Sequence, residues 1–146
     1  MQIGPHTLPD SFQSCIQSGR LKRARGSWQL RADRDAYGNF LETDLGQVYA
    51  TLELIQLESS RLPEGFPADQ ADITDDYASE PGFIPYITDF THILEFAIAG
   101  DGSPFCFDYR GSLAQPSIIW WDDTYWRCLA PSFDAFLALF DLQTDA

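Results

Sequence analysis

The sequence is poor in the residues on which most catalytic and metal sites are built. Its 146 residues include two histidines, His6 and His92, and three cysteines, Cys15, Cys106 and Cys128. No cysteine belongs to a C-x-x-C pair or has a histidine close to it in the sequence, which excludes the usual zinc spacings. Three such thiols are typical of a reducing cytosol. We therefore expect a cytoplasmic protein without a metal or a cofactor.

The shortage of histidine also limits nucleophilic catalysis, which needs a base within hydrogen-bond reach of its serine or cysteine. We expect His6 to lie in a mobile amino terminus and His92 to be a neutral imidazole in an apolar segment. Neither a G-x-S-x-G elbow nor a G-x-x-x-x-G-K phosphate loop occurs. These absences predict a protein that is not an enzyme.

Long apolar runs are missing as well. The most apolar segment, ILEFAIAG from Ile93, is far shorter than the roughly 20 residues that span a bilayer, and it contains Glu95. The first ten residues, MQIGPHTLPD, have neither the basic start nor the apolar stretch of a secretion signal. We predict no membrane contact.

Basic residues are few and unevenly placed. The chain has 9 Lys and Arg against 22 Asp and Glu, a net charge of −13, and no Lys or Arg occurs between Arg61 and Arg110. Such a field repels nucleic acids and anionic membranes, whereas it attracts basic proteins and accelerates their association. The alternative is that the acidic surface only maintains solubility.

What remains is a pattern of short β-rich segments between two helices. Pro9, Phe12, Cys15 and Gly19 predict a short amino-terminal helix, and PSFDAFLALFDL predicts a carboxy-terminal one with Ser132 as its N-cap. Between them FIPYI, ILEFAIA, FCFDY, SIIWW and WRCLA read as strands. We predict one α+β domain over residues 1–146, a twisted, largely antiparallel multi-stranded sheet with both helices packed on it.

The first half is harder to divide. SWQLRA and NFLETD suggest two strands joined by a turn around Gly38, and residues 48–57, VYATLELIQL, suggest a long central strand. Residues 59–81 read as a long acidic connector. Residues 33–44, DRDAYGNFLETD, match a calcium loop at positions 1, 3 and 6, but Asp44 replaces the bidentate Glu, so a β-turn is favoured.

Two further motifs are candidate sites. In GDGSPFCFDYRG, residues 100–111, the glycines suit a tight turn, with Phe105 and Phe107 on one face of the following strand and Asp108 paired with Arg110 on the other. Adjacent carboxylates, among them Asp122-Asp123, leave an acid–base or metal-dependent hydrolase as a third reading, although such pairs arise by chance among 22 acids.

The order of motifs over residues 94–140 is familiar. It runs through FAIAGDGSPFCFDYRG, QPSIIWWDD and WRCLAPSFDAFLALF, and LPDSFQSCI near the start precedes it. This order resembles the SUKH superfamily, whose members include bacterial immunity proteins and fungal regulators of cell-wall synthesis. A basic stretch follows the first helix here where the family has an Asn-Gly-Gly turn.

The resemblance implies an α+β fold without catalytic machinery. It also implies a cytoplasmic immunity protein that binds and neutralises a cognate toxin, often a basic nuclease, and the acidic composition agrees with such a partner. The alternative is a non-catalytic regulatory or scaffold protein that binds host proteins.

We predict that the partner binds an acidic surface in one of two places. Trp120 and Trp121 point to opposite faces of a strand, so Trp121 either reaches an exposed surface or lies under the terminal helix. The first candidate surface is the acidic connector, with Asp69, Asp72, Asp75, Asp76 and Glu80. The second combines the Gly-rich turn with the end of the Trp-Trp strand, and its residues are Asp101, Trp121, Asp122 and Asp123.

Overall fold

The computed structural model describes residues 1–22, 26–67 and 76–141, and it confirms the predicted α+β class. Its helices are α1 (Asp10–Ser18), α2 (Leu52–Ser60), α3 (Leu62–Gly65) and α4 (Phe133–Leu137). Its strands are β1 (Gln2–Ile3), β2 (His6–Thr7), β3 (Trp28–Gln29), β4 (Asp44–Leu45), β5 (Gln47–Val48), β6 (Phe83–Ile84), β7 (Ile93–Ile98), β8 (Pro104–Asp108), β9 (Ser117–Trp121) and β10 (Trp126–Ala130).

A six-stranded sheet organises the described residues. Its strand order is β5-β7-β8-β9-β10-β6 and every neighbouring pair is antiparallel, as predicted. Consecutive hairpins join β7 through β10, so their two upper turns, β7–β8 and β9–β10, open at the same end of the sheet. The pairs β1–β2 and β3–β4 form two smaller sheets.

Alternation along the strands divides the buried side chains between two cores. On one face the rings of Phe96 and Phe107 stack 4.1 Å apart, centroid to centroid, within the first core. On the other face Cys106 and Ile119 belong to the second core, together with Leu62, Ile87, Ile93 and Trp126. The predicted separation of Phe105 and Phe107 from Cys106 is therefore confirmed.

The two predicted terminal helices are present and contribute to the first core. α1 ends at Gly19, which adopts a left-handed conformation (φ 74°), and its Phe12 is buried. α4 begins after Ser132, whose side chain accepts a hydrogen bond from the Ala135 amide, as predicted. Phe136 of α4 has no exposed surface and packs against Phe105 with ring centroids 5.2 Å apart.

The prediction of a long central strand at residues 48–57 is wrong. β5 ends at Val48, and α2 follows with Thr51 as its N-cap, accepting a hydrogen bond from the Leu54 amide at 3.1 Å. A capped run rich in Leu, Glu and Gln favours a helix over a strand. In the fold α2 covers the edge of β7, where the Ser59 hydroxyl accepts a hydrogen bond from the Glu95 amide at 2.9 Å.

The prediction that residues 59–81 form an irregular connector is also partly wrong. α2 continues to Ser60, and α3 follows it. Phe66 then packs on Trp121 and Trp126, each with a ring-centroid distance of 4.8 Å. Three of the predicted contact residues, Asp69, Asp72 and Asp75, lie outside the described residues.

The segment read as a near match to a calcium loop forms a turn, as favoured. The Asp35 carboxylate accepts hydrogen bonds from the amides of Tyr37 and Asn39 at 2.8 and 3.1 Å. Its other oxygen lies 2.8 Å from the Arg127 guanidinium. Gly38 supplies the positive φ of the turn. The predicted hairpin of SWQLRA and NFLETD is present, but its strands β3 and β4 have two residues each.

Candidate functional site

An acidic cleft of about 560 Å³ lies at the end of the sheet where the two upper turns meet β4. We call it the acidic cleft. Among the described residues its lining contains five carboxylates and no Lys or Arg; the lining residues are Gln29, Glu42, Thr43, Asp44, Ala99, Gly100, Asp101, Trp120, Asp122 and Asp123. The structure thus brings together three of the predicted contact residues, Asp101, Asp122 and Asp123.

Asp44 holds the β7–β8 turn against β4. Its carboxylate accepts a hydrogen bond from the Gly100 amide at 2.7 Å and one from the Ser27 hydroxyl at 2.5 Å. A Cβ atom on Gly100 would lie 2.6 Å from that carboxylate, closer than van der Waals contact permits. The floor of the acidic cleft therefore needs glycine at this position.

The β7–β8 turn is the tight turn expected from the sequence. The Asp101 carboxylate accepts hydrogen bonds from the amide and the hydroxyl of Ser103 at 2.9 and 2.6 Å, and these bonds lower its pKa. Gly102 has a φ of 90°. Trp120 donates its indole hydrogen to the Ser103 hydroxyl at 2.8 Å, so the turn is fixed to β9. Asp101 is exposed and stays ionised.

The β9–β10 turn provides the other wall of the acidic cleft. Asp123 is exposed and has a φ of 61°, an unusual conformation for a residue with a side chain that Asp and Asn tolerate better than most. Asp122 is half-buried, and burial raises its pKa against the opposing effect of Arg127. Asp123 is therefore the more accessible charge of the pair.

Arg127 on β10 lies behind the acidic cleft and connects three segments. Its guanidinium contacts the Asp35 carboxylate at 2.8 Å, the Phe40 carbonyl at 2.5 Å and the Asp122 carboxylate at 3.6 Å. The side chain is buried, and within the described residues its Nε atom has no hydrogen-bond partner. One buried cation thus fixes the 35–40 turn relative to the β9–β10 turn.

Trp121 does not line the acidic cleft. It lies on the opposite face of the sheet, partly buried against Phe66, Tyr86 and Trp126. The alternative placement under the terminal helix is wrong, because α4 packs in the first core. Period-two alternation separates Trp120 and Trp121 as expected, and the helix covers the face of Trp120.

The described end of the connector adjoins the β9–β10 turn. Tyr77 stacks on Tyr125 with ring centroids 5.5 Å apart and an interplanar angle of 14°. Burial and the negative charges of Asp122 and Glu80 raise the pKa of Tyr125, so Glu80 lies within electrostatic range of the turn. Asp76 and Glu80 are exposed. The described end of the connector, which carries Asp76 and Glu80, therefore lies next to Tyr125 and the β9–β10 turn.

The sequence reading missed two carboxylates of the acidic cleft, Glu42 and Asp44. Both belong to residues 33–44, where the resemblance to a calcium loop concerns Asp44 only as a replacement for the bidentate Glu. β4 carries Asp44 to the cleft by pairing with Gln29 of β3, a register that no local pattern specifies. Only this strand pairing indicates that Asp44 lies at the cleft.

A comparison with protein families identifies the family to which the chain belongs. A family model described as SMI1 / KNR4 family (SUKH-1) matches residues 5–139, which is most of the chain. The chain belongs to this family. No curated protein and no solved structure matches it. SUKH proteins are generally non-catalytic immunity or regulatory proteins, and they generally bind cognate toxins.

The histidines of this SUKH-1 chain form a pair. His6 is buried in β2, so the expectation of a mobile terminus is wrong; its Nε2 lies 2.9 Å from Nδ1 of His92. Its Nδ1 donates to the Ile3 carbonyl at 3.2 Å, which leaves Nε2 to accept from His92. Burial lowers the pKa of His6, and its ring packs on Tyr109. The pair connects the β1–β2 hairpin to the segment before β7.

The described part of this SUKH-1 chain offers no group of three or more His, Cys, Asp or Glu arranged for a metal ion. In the same residues no helix is long and apolar enough to cross a membrane.

One buried carboxyl group stands outside the acidic cleft. Glu95 on β7 is 7% exposed, and Tyr49 donates a hydrogen bond to it at 2.5 Å. Burial raises its pKa to about 7, and the negative charge of Glu58 adds to the shift. Glu95 lies opposite Cys106 of β8, whose pKa burial also raises. The group is therefore protonated in the folded protein over a range in which the unfolded chain is ionised.

This difference predicts that stability falls as the pH rises through about 7. Because the folded pKa lies above the ordinary value of 4.5, the stabilisation is complete below pH 4.5 and is lost progressively up to and through 7. We expect a loss of up to about 3 kcal/mol in the free energy of unfolding. Urea unfolding at pH values from 5 to 8.5 measures it. In Glu95→Gln, which keeps an acceptor for Tyr49, this contribution should vanish, which leaves the rise in stability toward neutral pH that the lowered pKa of His6 predicts; a slope equal to that of the wild type would contradict the assignment.

Proposed function

We propose that this protein is a cytoplasmic immunity protein that binds and neutralises a cognate toxin domain, a basic nuclease, through its acidic surface. The observation that carries the proposal is the acidic cleft, in which five carboxylates converge and the described lining residues include no Lys or Arg. Membership of a family whose members bind cognate toxins supports it. A nuclease grips phosphates with basic groups, so an acidic protein competes for the same surface.

The way the carboxylates are held supports a binding role. Asp44 and Asp101 are held by hydrogen bonds within the turns, and Asp122 by Arg127, so the charges are fixed before a partner arrives. Preorganised charges spare the partner the ordering of flexible side chains. The same surface would suit a regulatory protein that binds a basic host partner. Only the immunity protein is expected to protect cells from a toxin.

The decisive experiment is rescue of growth. The chain is co-expressed with the product of the gene beside its own, and growth is compared with that of cells that express this product alone. Rescue together with a direct complex supports immunity. A toxin domain that kills equally in the presence of the chain would overturn the proposal.

The role of the acidic cleft is tested by a matched pair of charge reversals. Glu42→Lys lies in the cleft, whereas Glu53→Lys lies on α2 outside it and changes the net charge equally. We expect Glu42→Lys to slow association with the toxin domain roughly tenfold at low salt, and Glu53→Lys to have little effect. Stopped-flow binding at several salt concentrations measures both, and equal effects would exclude the cleft as the contact surface.

A further inference from the structure

Two large aromatic side chains project from a single short turn. Tyr37 and Phe40 are 53% and 57% exposed, and both belong to the 35–40 turn. The other large apolar side chains with comparable exposure, Met1, Leu57 and Leu113, are scattered along the chain. Within the described residues Phe40 makes no ring contact. Exposed aromatic side chains that are grouped and flanked by charge are typical of binding surfaces.

The 35–40 turn is held rigidly. Its first residue, Asp35, is bonded through its carboxylate to two amides of the turn and through its own amide to the Asn39 carbonyl at 2.8 Å. The Ala36 amide donates to the Leu129 carbonyl of β10 at 3.0 Å. Arg127 binds both ends, at Asp35 and at the Phe40 carbonyl. The backbone that carries the two rings therefore has little conformational entropy left to lose on binding.

The turn also lies between the acidic cleft and Glu80 at the described end of the connector. On one side Phe40 is joined through Arg127 to Asp122, and Glu42 of the acidic cleft follows two residues later. On the other side the Tyr37 hydroxyl lies 3.5 Å from the Cys128 sulfur. The Cys128 amide in turn donates to the carbonyl of Gly82 at 2.8 Å, two residues after Glu80.

We propose that the 35–40 turn is the centre of one partner-binding surface, with Tyr37 and Phe40 as its anchors and with the acidic cleft and Glu80 as its rim. The occupant is a basic protein whose arginine or lysine side chains lie on the two rings while their charges face the carboxylates. That this basic protein is a toxin domain rests on the function proposed above.

The aromatic rings and the carboxylates are expected to contribute differently to binding, because the rings lie at the centre of the surface and the carboxylates at its rim. A cation over an aromatic ring is attracted by the ring quadrupole, and the apolar stem of the same side chain covers the ring. Anchors at the centre mainly set the dissociation rate, whereas rim charges mainly set the association rate and its dependence on salt. The two contributions can therefore be measured separately.

The first test uses a defined probe, acetylated hexaarginine amide, and NMR spectra of the full chain. We expect the ring resonances of Tyr37 and Phe40 to shift together with Glu42 and Glu80. Phe40→Ala should raise the Kd about two- to fivefold, which is the change expected when one exposed cation–π contact is lost. Leu113→Ala, which truncates another exposed apolar side chain (45% exposed) elsewhere on the surface, should leave the Kd unchanged. Unmoved ring resonances, or equal Kd values for both variants, would overturn the proposal.

The second test uses the toxin domain that the rescue experiment identifies. Phe40→Ala should raise the dissociation rate about tenfold or more at every salt concentration, as expected of a central anchor. If the toxin domain binds and this rate is unchanged, the central role of the turn is wrong while the proposed function stands. If the toxin domain does not bind the wild-type chain, the proposed function fails and the peptide titration alone decides the role of the turn.

A second copy of this chain is the competing occupant. A net charge of −13 on each copy opposes self-association. Sedimentation velocity distinguishes the two: a monomer across the working concentrations supports the proposal, whereas a dimer that Phe40→Ala dissociates would assign the rings to self-association and overturn it.

Discussion

Phe136→Ala is expected to lower the free energy of unfolding by about 3–5 kcal/mol. The ring has no exposed surface and lies in the first core, where it contacts Phe96, Phe105, Phe133 and Phe140 at centroid distances of 5.1 to 6.2 Å. Alanine removes both the transfer free energy of the ring and its packing, because rings on strands and α4 cannot close the space fully. Urea unfolding at fixed pH measures the loss.

Phe40→Ala is the matched control, since it makes the same chemical change at a ring that is 57% exposed. Its effect on stability should stay within about 0.5 kcal/mol. Similar losses in the two variants would mean that α4 does not pack as described. A large loss confined to Phe136→Ala also shows that the Phe40 variant is a fair reporter of binding.

Arg127→Met is expected to lower the free energy of unfolding by about 3–5 kcal/mol, because it leaves the buried carboxylate of Asp35 without its cation. Asp35 is 4% exposed and its pair with Arg127 is 2.8 Å long. The two amide bonds to Asp35 remain, but they do not neutralise a full charge in a poorly hydrated site. The 35–40 turn should loosen at the same time.

The double variant Asp35→Asn/Arg127→Met separates charge from packing. It leaves no buried charge, and the asparagine can still accept the amide bonds of the turn, so part of the loss should be recovered relative to Arg127→Met alone. Urea unfolding of both single variants and the double variant gives the coupling free energy. A double variant no more stable than Arg127→Met would show that the pair contributes only its packing.

The carboxy-terminal half of the fold was predictable because local pattern and tertiary position agree there. In β8 the alternation of Phe105, Cys106 and Phe107 matches the two cores of the sheet, and Ser132 caps α4 where an N-cap was expected. The central strand was mispredicted because residues 52–57 combine apolar alternation with strong helix formers, and the Thr51 cap decided between them.

The candidate site was only partly predictable, for a different reason. Asp101, Asp122 and Asp123 follow strands that finish at the same end of the sheet. Their order along the chain was therefore enough to group them. Glu42 and Asp44 reach the same cleft through the pairing of β4 with β3. His6 pairs with His92 across 86 residues, a contact that no local motif encodes.

The sequence by itself determined the composition of the protein's surface and the alternation of its strands, since charge and apolar period are properties of neighbouring residues. Only the tertiary structure decided which acids share a cleft, which of Trp120 and Trp121 faces it, and that Asp35 serves a buried arginine rather than a metal. These outcomes depend on strand pairing and on the desolvation of particular groups, and both arise when distant segments exclude water from one another.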